Sequence, residues 1–348
     1  RITTDKTGSA KWSDLKIGVQ YRITETKAPA GYEIDDTPQT VYLSDKEQDV
    51  VTVEFSNGKH GDLIIDKIDS VTKQPLPGAQ FKITTSDGSF VGNYGGTVTS
   101  NGIYTTDSNG QIKLVDLKPD TYVVTEIKAP DGYVLDSTPV YFDVTEEHSS
   151  EEGGVTVIEV TKPNMAQKGI IKVSKTGEVF SSVTENEGVY QPVYEVQGLP
   201  GAVFEITALE DVYTLDGTLR YSAGEVVDTI TTGEDGTAQS QPLYLGKFQV
   251  KEIQFPHGMV DTGENVTNVE LVYAGQEVEV TETSASFYNL RQKALVTLDK
   301  VLEQDETFGI GMNGEISAVT FGLYAQEDIT AACYSLPQAK ALSEAACA

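Results

Sequence analysis

Apolar and polar residues alternate with period two along most of the chain, in runs rich in Val, Ile, Thr and Tyr punctuated by Asp-Gly, Asn-Gly and Pro-Gly turns. Residues two apart in a strand share a face, so this pattern predicts short β-strands with one face buried. Sustained helical periodicity is missing everywhere except the Ala-rich end. The spacing of strands and turns predicts an all-β chain of tandem immunoglobulin-like β-sandwich domains.

The predicted strands recur in a fixed order. A glutamate strand appears three times, as YRITETKAPAGY (21–32), YVVTEIKAPDGY (122–133) and FQVKEIQFPHGM (248–259). Upstream of it, a strand ending in lysine leads to a Gly-Ala-x-Phe segment: GDLIIDKID to PLPGAQFKI, and GIIKVSKTG to GLPGAVFEI. A weaker third copy runs from ALVTLDKVL to AVTFGLYA. Turn-rich middles (TTDSNGQ, TTGEDGT) precede the glutamate strand, and closing strands end in asparagine: VTVEFSN, VIEVTKPN and TSASFYN. This order divides the chain into the C-terminal half of a repeat (1–58), two complete repeats (59–165 and 166–291) and the N-terminal half of another (292–348). Short linkers predict neighbouring repeats placed nearly end to end. The chain is expected to be an internal fragment, since no signal peptide begins at residue 1.

The same alternation identifies candidate chemistry. Lys67 shares a face with Leu63 and Ile65, Lys175 with Ile171 and Val173, and Lys300 with Val296 and Leu298. Glu25 lies beside Tyr21 and Ile23, Glu126 beside Tyr122 and Val124, and Glu252 beside Phe248 and Val250. Asn57 follows Val53 and Phe55, Asn164 follows Ile158 and Val160, and Asn289 follows Phe287. Each complete repeat therefore points one Lys, one Glu and one Asn into its core. Burying such charges costs several kcal/mol unless something compensates. One account is a buried ion pair with a hydrogen-bonded Asn, or side chains at strand ends that reach solvent. The other is covalent. Burial depresses the pKa of a lysine and raises that of a glutamate, so the pair can exist as neutral amine and neutral acid. The amine would attack the carboxamide of Asn164 or Asn289 while the acid polarises the carbonyl and moves protons until ammonia leaves. Contact in a dry core supplies an effective molarity of roughly 10⁵ to 10⁸ M.

The lysine strand, GAxF, ExxAPxGY and terminal Asn together resemble the collagen-adhesin B-type repeats, also called SpaA-like or prealbumin-like domains, of Gram-positive surface adhesins and pilins. The resemblance covers residues 1 to about 330. It implies self-catalysed isopeptide bonds between Lys67 and Asn164 under Glu126, and between Lys175 and Asn289 under Glu252. Glu25 and Asn57 lack a lysine strand, and Lys300 lacks partners, so Asn57 and Lys300 are unpaired candidates. The third glutamate motif departs from the pattern at Phe255-Pro256 and Met259. CYSLPQAKALSEAACA departs from the strand pattern altogether, and no sortase sorting motif or pilin lysine motif is evident.

Composition narrows the function. The 53 acidic against 25 basic residues give a net charge of -28, which excludes the clustered Lys and Arg that nucleic-acid binding needs. No apolar run reaches the length of a bilayer span. Both cysteines, Cys333 and Cys347, lie at the far end, so the rest must hold together without disulfides. Three scattered histidines argue against a metal site or an acid-base pair, and Asp107–Gly110 and Glu234–Gly236 read as turns rather than calcium loops. Trp12 and the 17 tyrosines read as cross-strand packing. Two function classes remain open. The first is a non-enzymatic, cofactor-free stalk or pilus-like module at the surface or wall of a Gram-positive bacterium, its partners being neighbouring repeats. The second is repeats that themselves bind host extracellular-matrix protein or glycan, or that accompany a large extracellular enzyme.

Overall fold

The computed structural model describes residues 1–44, 50–58, 60–92, 99–145, 156–311, 314–324 and 326. Among the described residues, every regular element is a β-strand apart from one short 3-10 turn at Glu315–Ala318. The chain separates into two compact units, Arg1–Ala166 and Gln167–Ala348.

In the first unit, two sheets face one another over residues 61–164. One holds the lysine strand Gly61–Asp69 at its centre, with Gln111–Leu117 antiparallel on one side and the closing strand Thr156–Asn164 parallel on the other. The second has the order Ile103–Thr105, Gln80–Thr85, the glutamate strand Asp120–Lys128, and Val140–Val144. Burial along Gly61–Asp69 alternates strictly, every odd residue being buried. Between the sheets lie Leu63, Ile65, Phe81, Ile83, Tyr104, Leu114, Tyr122 and Val124, all at most 2% exposed, with Tyr122 stacked on half-buried Phe142. The first and last strands of the sandwich are thus neighbours, and the glutamate strand faces them from the opposite sheet.

The second unit repeats this plan. Its lysine strand Lys168–Asn186 pairs in parallel with the closing strand Val280–Arg291, while the facing sheet has the order Val226–Thr231, Val203–Ala208, the glutamate strand Gly246–Gln254, and Val266–Leu271. Phe204, Ile206, Phe248, Val250, Ile171 and Phe287 fill the core. One feature has no counterpart in the first unit. The lysine strand continues past Lys175 to Asn186, turns through Glu187 and Gly188 at φ 52° and 78°, and returns as Val189–Gly198. Two successive left-handed residues make the hairpin turn that matches strand twist.

Three expected strands do not form among the described residues. Residues 51–57 keep the predicted alternation, Val53, Phe55 and Asn57 being half-buried and their neighbours exposed, yet they join no ladder. In both complete sandwiches the closing strand pairs with a lysine strand, and among the described residues no strand pairs with residues 51–57. The leading residues pair only as Val19–Ile23 with Gln39–Leu43. ALVTLDKVL likewise lies outside any strand, with Leu295, Val296 and Leu298 exposed. The described part of AVTFGLYA is not a strand either. CYSLPQAKALSEAACA, with Cys333 and Cys347, lies outside the described residues.

Both lysine strands are gripped by the same turn. The backbone N–H of Lys67 donates to Gly110 O at 2.8 Å, and that of Lys175 donates to Gly236 O at 2.7 Å. Gly110 has φ 70°, and a Cβ there would lie 2.6 Å from Lys67 O and 2.8 Å from Leu76 N. Gly236, at φ 76°, would press on Lys175 O in the same way. Gly110→Ala should therefore destabilise the first unit by about 1–3 kcal/mol from backbone strain alone, read as a lower denaturant midpoint. An unchanged midpoint would show that the turn relaxes freely.

Candidate functional site

The three strands that meet at the core deliver one polar side chain each. In the first unit Lys67 and Glu126 are both fully buried, and Asn164 is 2% exposed. Lys67 Nζ lies 3.1 Å from Glu126 Oε1, close enough for an ion pair but at angles outside hydrogen-bond geometry. The 134–136 segment holds the other two groups. The backbone N–H of Asp136 donates to Glu126 Oε2 at 3.3 Å, and Asn164 Nδ2 donates to the carbonyl of Val134. Glu126 Oε1 and Asn164 Oδ1 are buried acceptors with no hydrogen-bond donor. A proton on the glutamic acid would supply one. Burial pushes the Lys67 amine down to about 8 against the pull of Glu126, and burial pushes the Glu126 carboxyl up against the pull of Lys67. Both changes favour the neutral forms.

The second unit has the same constellation in the same register. Lys175 stands opposite Phe287 and Gly177 opposite Asn289, just as Lys67 stands opposite Lys162 and Asp69 opposite Asn164. Lys175 Nζ donates to Glu252 Oε2 at 2.8 Å, and Asn289 Nδ2 donates to the same oxygen at 3.3 Å. Glu252 Oε1 and Asn289 Oδ1 are again buried without hydrogen-bond partners. Burial lowers the pKa of Lys175, opposed by its bond to Glu252.

In the leading half, Glu25 and Asn57 are also brought together. Asn57 Nδ2 donates to Glu25 Oε2 at 2.6 Å and to Glu33 O at 2.8 Å, and Asp35 N–H donates to Glu25 Oε2 at 2.9 Å. This is the 134–136 arrangement without a lysine: among the described residues no ion pair reaches Glu25. Lys300 is exposed and is not brought to any of these groups.

Sequence reasoning missed two residues of the first site. Lys162 lies on the closing strand two residues before Asn164, on the same inward face, and is 4% exposed. Its ammonium donates to Asp136 Oδ2 and to Thr138 O, both at 2.9 Å. Burial raises the Asp136 carboxyl, but hydrogen bonds from Lys162 and Thr138 outweigh it and hold it at about 2. The alternation in VIEVTKPN was the available signal for Lys162. A further contact explains the closing Tyr of the glutamate motif: Tyr133 OH donates to buried Asp69 at 2.9 Å, tying the motif to the end of the lysine strand.

Comparison with known proteins identifies the fold family. The family model described as the SpaA prealbumin-like fold domain matches residues 1–59, 61–162 and 193–285, so the chain belongs to that family of all-β, prealbumin-like sandwiches. Among curated relatives, the bone sialoprotein-binding protein of Staphylococcus aureus is 27% identical over 312 residues, covering 83% of this chain and 24% of the relative. Serine-aspartate repeat-containing protein D of the same organism is 26% identical over 314 residues, covering 82% of this chain and 21% of its own. The chain thus spans about a quarter of the length of these relatives. Similar solved structures include the Bacillus anthracis TIE protein, with 24% identity, TM-score 0.43, and coverage of 83% of this chain and 44% of that one. The Streptococcal ancillary pilin matches with 19% identity, TM-score 0.28, and coverage of 79% and 76%.

The buried pair has a pH signature in a chain that cannot cross-link. With Lys67 lowered from 10.5 to about 8, the folded state binds fewer protons than the unfolded state between those values. Stability of an Asn164→Ala chain should therefore rise as pH increases from about 8 toward 10.5. Glu126 acts with the opposite slope at lower pH: its raised pKa contributes stability below 4.5 that is lost as pH rises through its folded value. Chemical denaturation of the first unit across pH measures this. A flat profile above pH 8 would show that Lys67 is not depressed.

Proposed function

We propose that this chain is a structural stalk or pilus-like module of a Gram-positive cell-surface protein, and that each complete repeat locks itself with a Lys–Asn isopeptide bond. The observation that carries the reading is the same buried Lys, Glu and Asn, in the same parallel register, in both units. Membership of the SpaA family and the Staphylococcus relatives support an extracellular or cell-wall location.

The chemistry balances without an outside reagent. In the first repeat the neutral Lys67 Nζ forms a bond to Cγ of Asn164, and the Cγ–Nδ2 bond breaks. Glu126 in its acid form polarises Oδ1, then carries the proton lost by the amine to the departing nitrogen, which leaves as ammonia. Lys175, Glu252 and Asn289 do the same in the second repeat. Each site turns over once, so the product is a cross-link rather than a catalyst. Because the lysine and closing strands are the first and last of the sandwich, the bond closes a loop of nearly the whole repeat. By analogy with disulfides, such a closure contributes on the order of 4 to 5 kcal/mol.

A second reading has one observation in its favour: a relative is named for binding bone sialoprotein. Under it, the repeats themselves would recognise host matrix protein or glycan. A binding screen of this chain against matrix proteins and glycans separates the two, since a stalk binds none of them.

Intact mass spectrometry should find the chain lighter than its sequence by two ammonia, one for each complete repeat. Glu126→Gln should remove only the Lys67–Asn164 linkage and leave Lys175–Asn289 in place. Asn164→Ala should lower the stability of the first unit by about 4–5 kcal/mol. A chain of unmodified mass would reject the covalent lock and leave a buried ion pair.

A further inference from the structure

Lys162 is a second buried lysine in the reacting core, and neither the fold nor the bond requires it. The residue in register with the reactive lysine is Phe287 in the second unit, where it packs in the apolar core. In the leading half the corresponding position, two before Asn57, is Phe55. Only the first unit places a lysine there, directly opposite Lys67 across the parallel pair of strands. An aromatic residue fills this place at no electrostatic cost, whereas a buried ammonium costs several kcal/mol unless paired. The structure supplies that pairing: the Lys162 ammonium donates to Asp136 and to the carbonyl of Thr138. The ammonium is thereby held in place.

Resting on the covalent reading above, we propose that Lys162 is a positioning residue for closure of the 59–165 repeat: its fixed ammonium disfavours a second charge on Lys67 and keeps Lys67 as the attacking amine. A lysine beside another cation in a desolvated site is a known way to activate an amine at neutral pH. The charged groups facing Lys67 come from three directions: Glu126 on the glutamate strand, Lys162 on the closing strand, and Asp136 in the segment beyond the glutamate strand. Asp69 follows on the lysine strand itself and is engaged by Tyr133. Glu126 and Asp136 stabilise the Lys67 ammonium, and Lys162 opposes it. The bond made and the ammonia lost are unchanged; Lys162 alters only the fraction of Lys67 that is free to attack.

Full-length chain made by cell-free synthesis, quenched in denaturant at timed intervals and peptide-mapped, reports closure of each repeat separately. The rate of Lys67–Asn164 closure should rise with pH through the Lys67 titration, and Lys162→Met should move that rise to higher pH. Lys162→Phe, which installs the residue of the other repeats, should do the same, while Lys162→Arg should restore the parent profile. Lys175–Asn289 closure in the same molecules should not move. A general folding defect would lower the rate without displacing its pH dependence. Superimposable profiles for the parent and both Lys162→Met and Lys162→Phe would overturn the proposal. A second measurement stands apart from bond formation: in an Asn164→Ala chain, NMR titration of the Lys67 ε-methylene should shift to higher pH when Lys162→Met is added. If that titration moves but the parent never loses ammonia, the covalent reading fails and the electrostatic role of Lys162 stands. If the parent closes but the titration stays fixed, the role assigned to Lys162 is wrong.

Discussion

The contact between a buried lysine and a buried glutamate, each from one of two facing sheets, is the constraint around which each complete sandwich is arranged. Two opposite charges taken out of water recover their desolvation only with near-ideal geometry and further hydrogen bonds. The first unit meets neither condition in full, since Lys67 meets Glu126 at an angle unsuited to a hydrogen bond and, although Asp136 N–H donates to Glu126 Oε2, one oxygen each of Glu126 and Asn164 is left without a donor. An apolar pair of similar volume would pack there at lower cost. The arrangement makes physical sense once the groups are neutral and reactive, because the same burial that penalises an ammonium and a carboxylate favours an amine and a carboxylic acid. On the proposed covalent reading, what reads as a flaw in an ion pair is the preparation of a nucleophile and an acid. The topology follows from the same need. A cross-link between lysine and closing strands is useful only where those strands are the two ends of the domain, and the parallel pairing makes them neighbours.

Much of this was legible in the sequence because a strand has a period of two. The alternation in GDLIIDKID alone places Lys67 with Leu63 and Ile65, and the structure buries all three completely. Periodicity identifies the face of a residue but carries no information about which strand lies beside it. Residues 51–57 and 294–302 show the limit. Both have the pattern of a buried strand, and neither is one here, because a strand exists only when a neighbour completes its hydrogen bonds. The hairpin beyond Lys175 was missed for a related reason: its alternation merges with that of the lysine strand, and only the Glu187-Gly188 turn divides it. Lys162 was visible on the inward face of VIEVTKPN, but its partner Asp136 is 26 residues away, and lysines near strand ends ordinarily reach solvent.

The departures between repeats are informative where they come in pairs. Tyr133 ends the glutamate motif of the first complete repeat and donates to Asp69, two residues beyond the reactive lysine. In the second repeat both members differ: Met259 replaces the tyrosine, and Gly177 stands two residues beyond Lys175. A tyrosine there would face no carboxylate, and a side chain at Gly177 would collide with Leu199 and approach the Met259 sulfur. A polar latch in one repeat is therefore a tight apolar contact in the other, and neither half of the exchange works alone. The Phe255-Pro256 departure has no such partner among the contacts described.

These exchanges stop at the edge of the reacting group. The latch residue and the residue opposite the lysine differ between the two units, and only the second carries the hairpin beyond the lysine, while Lys, Glu and Asn keep their residue type, burial and register. Packing tolerates such variation because several side chains can fill one volume. Amide formation does not, since with loss of ammonia it needs an amine, an acid and a carboxamide in contact. If the buried pair served only to hold two sheets together, the cheaper apolar solution already used around it would serve equally well at its centre. That both units instead retain the costly polar group, with the same acceptor oxygens unpaired, is the strongest physical reason to regard it as the site of a reaction rather than a structural ion pair.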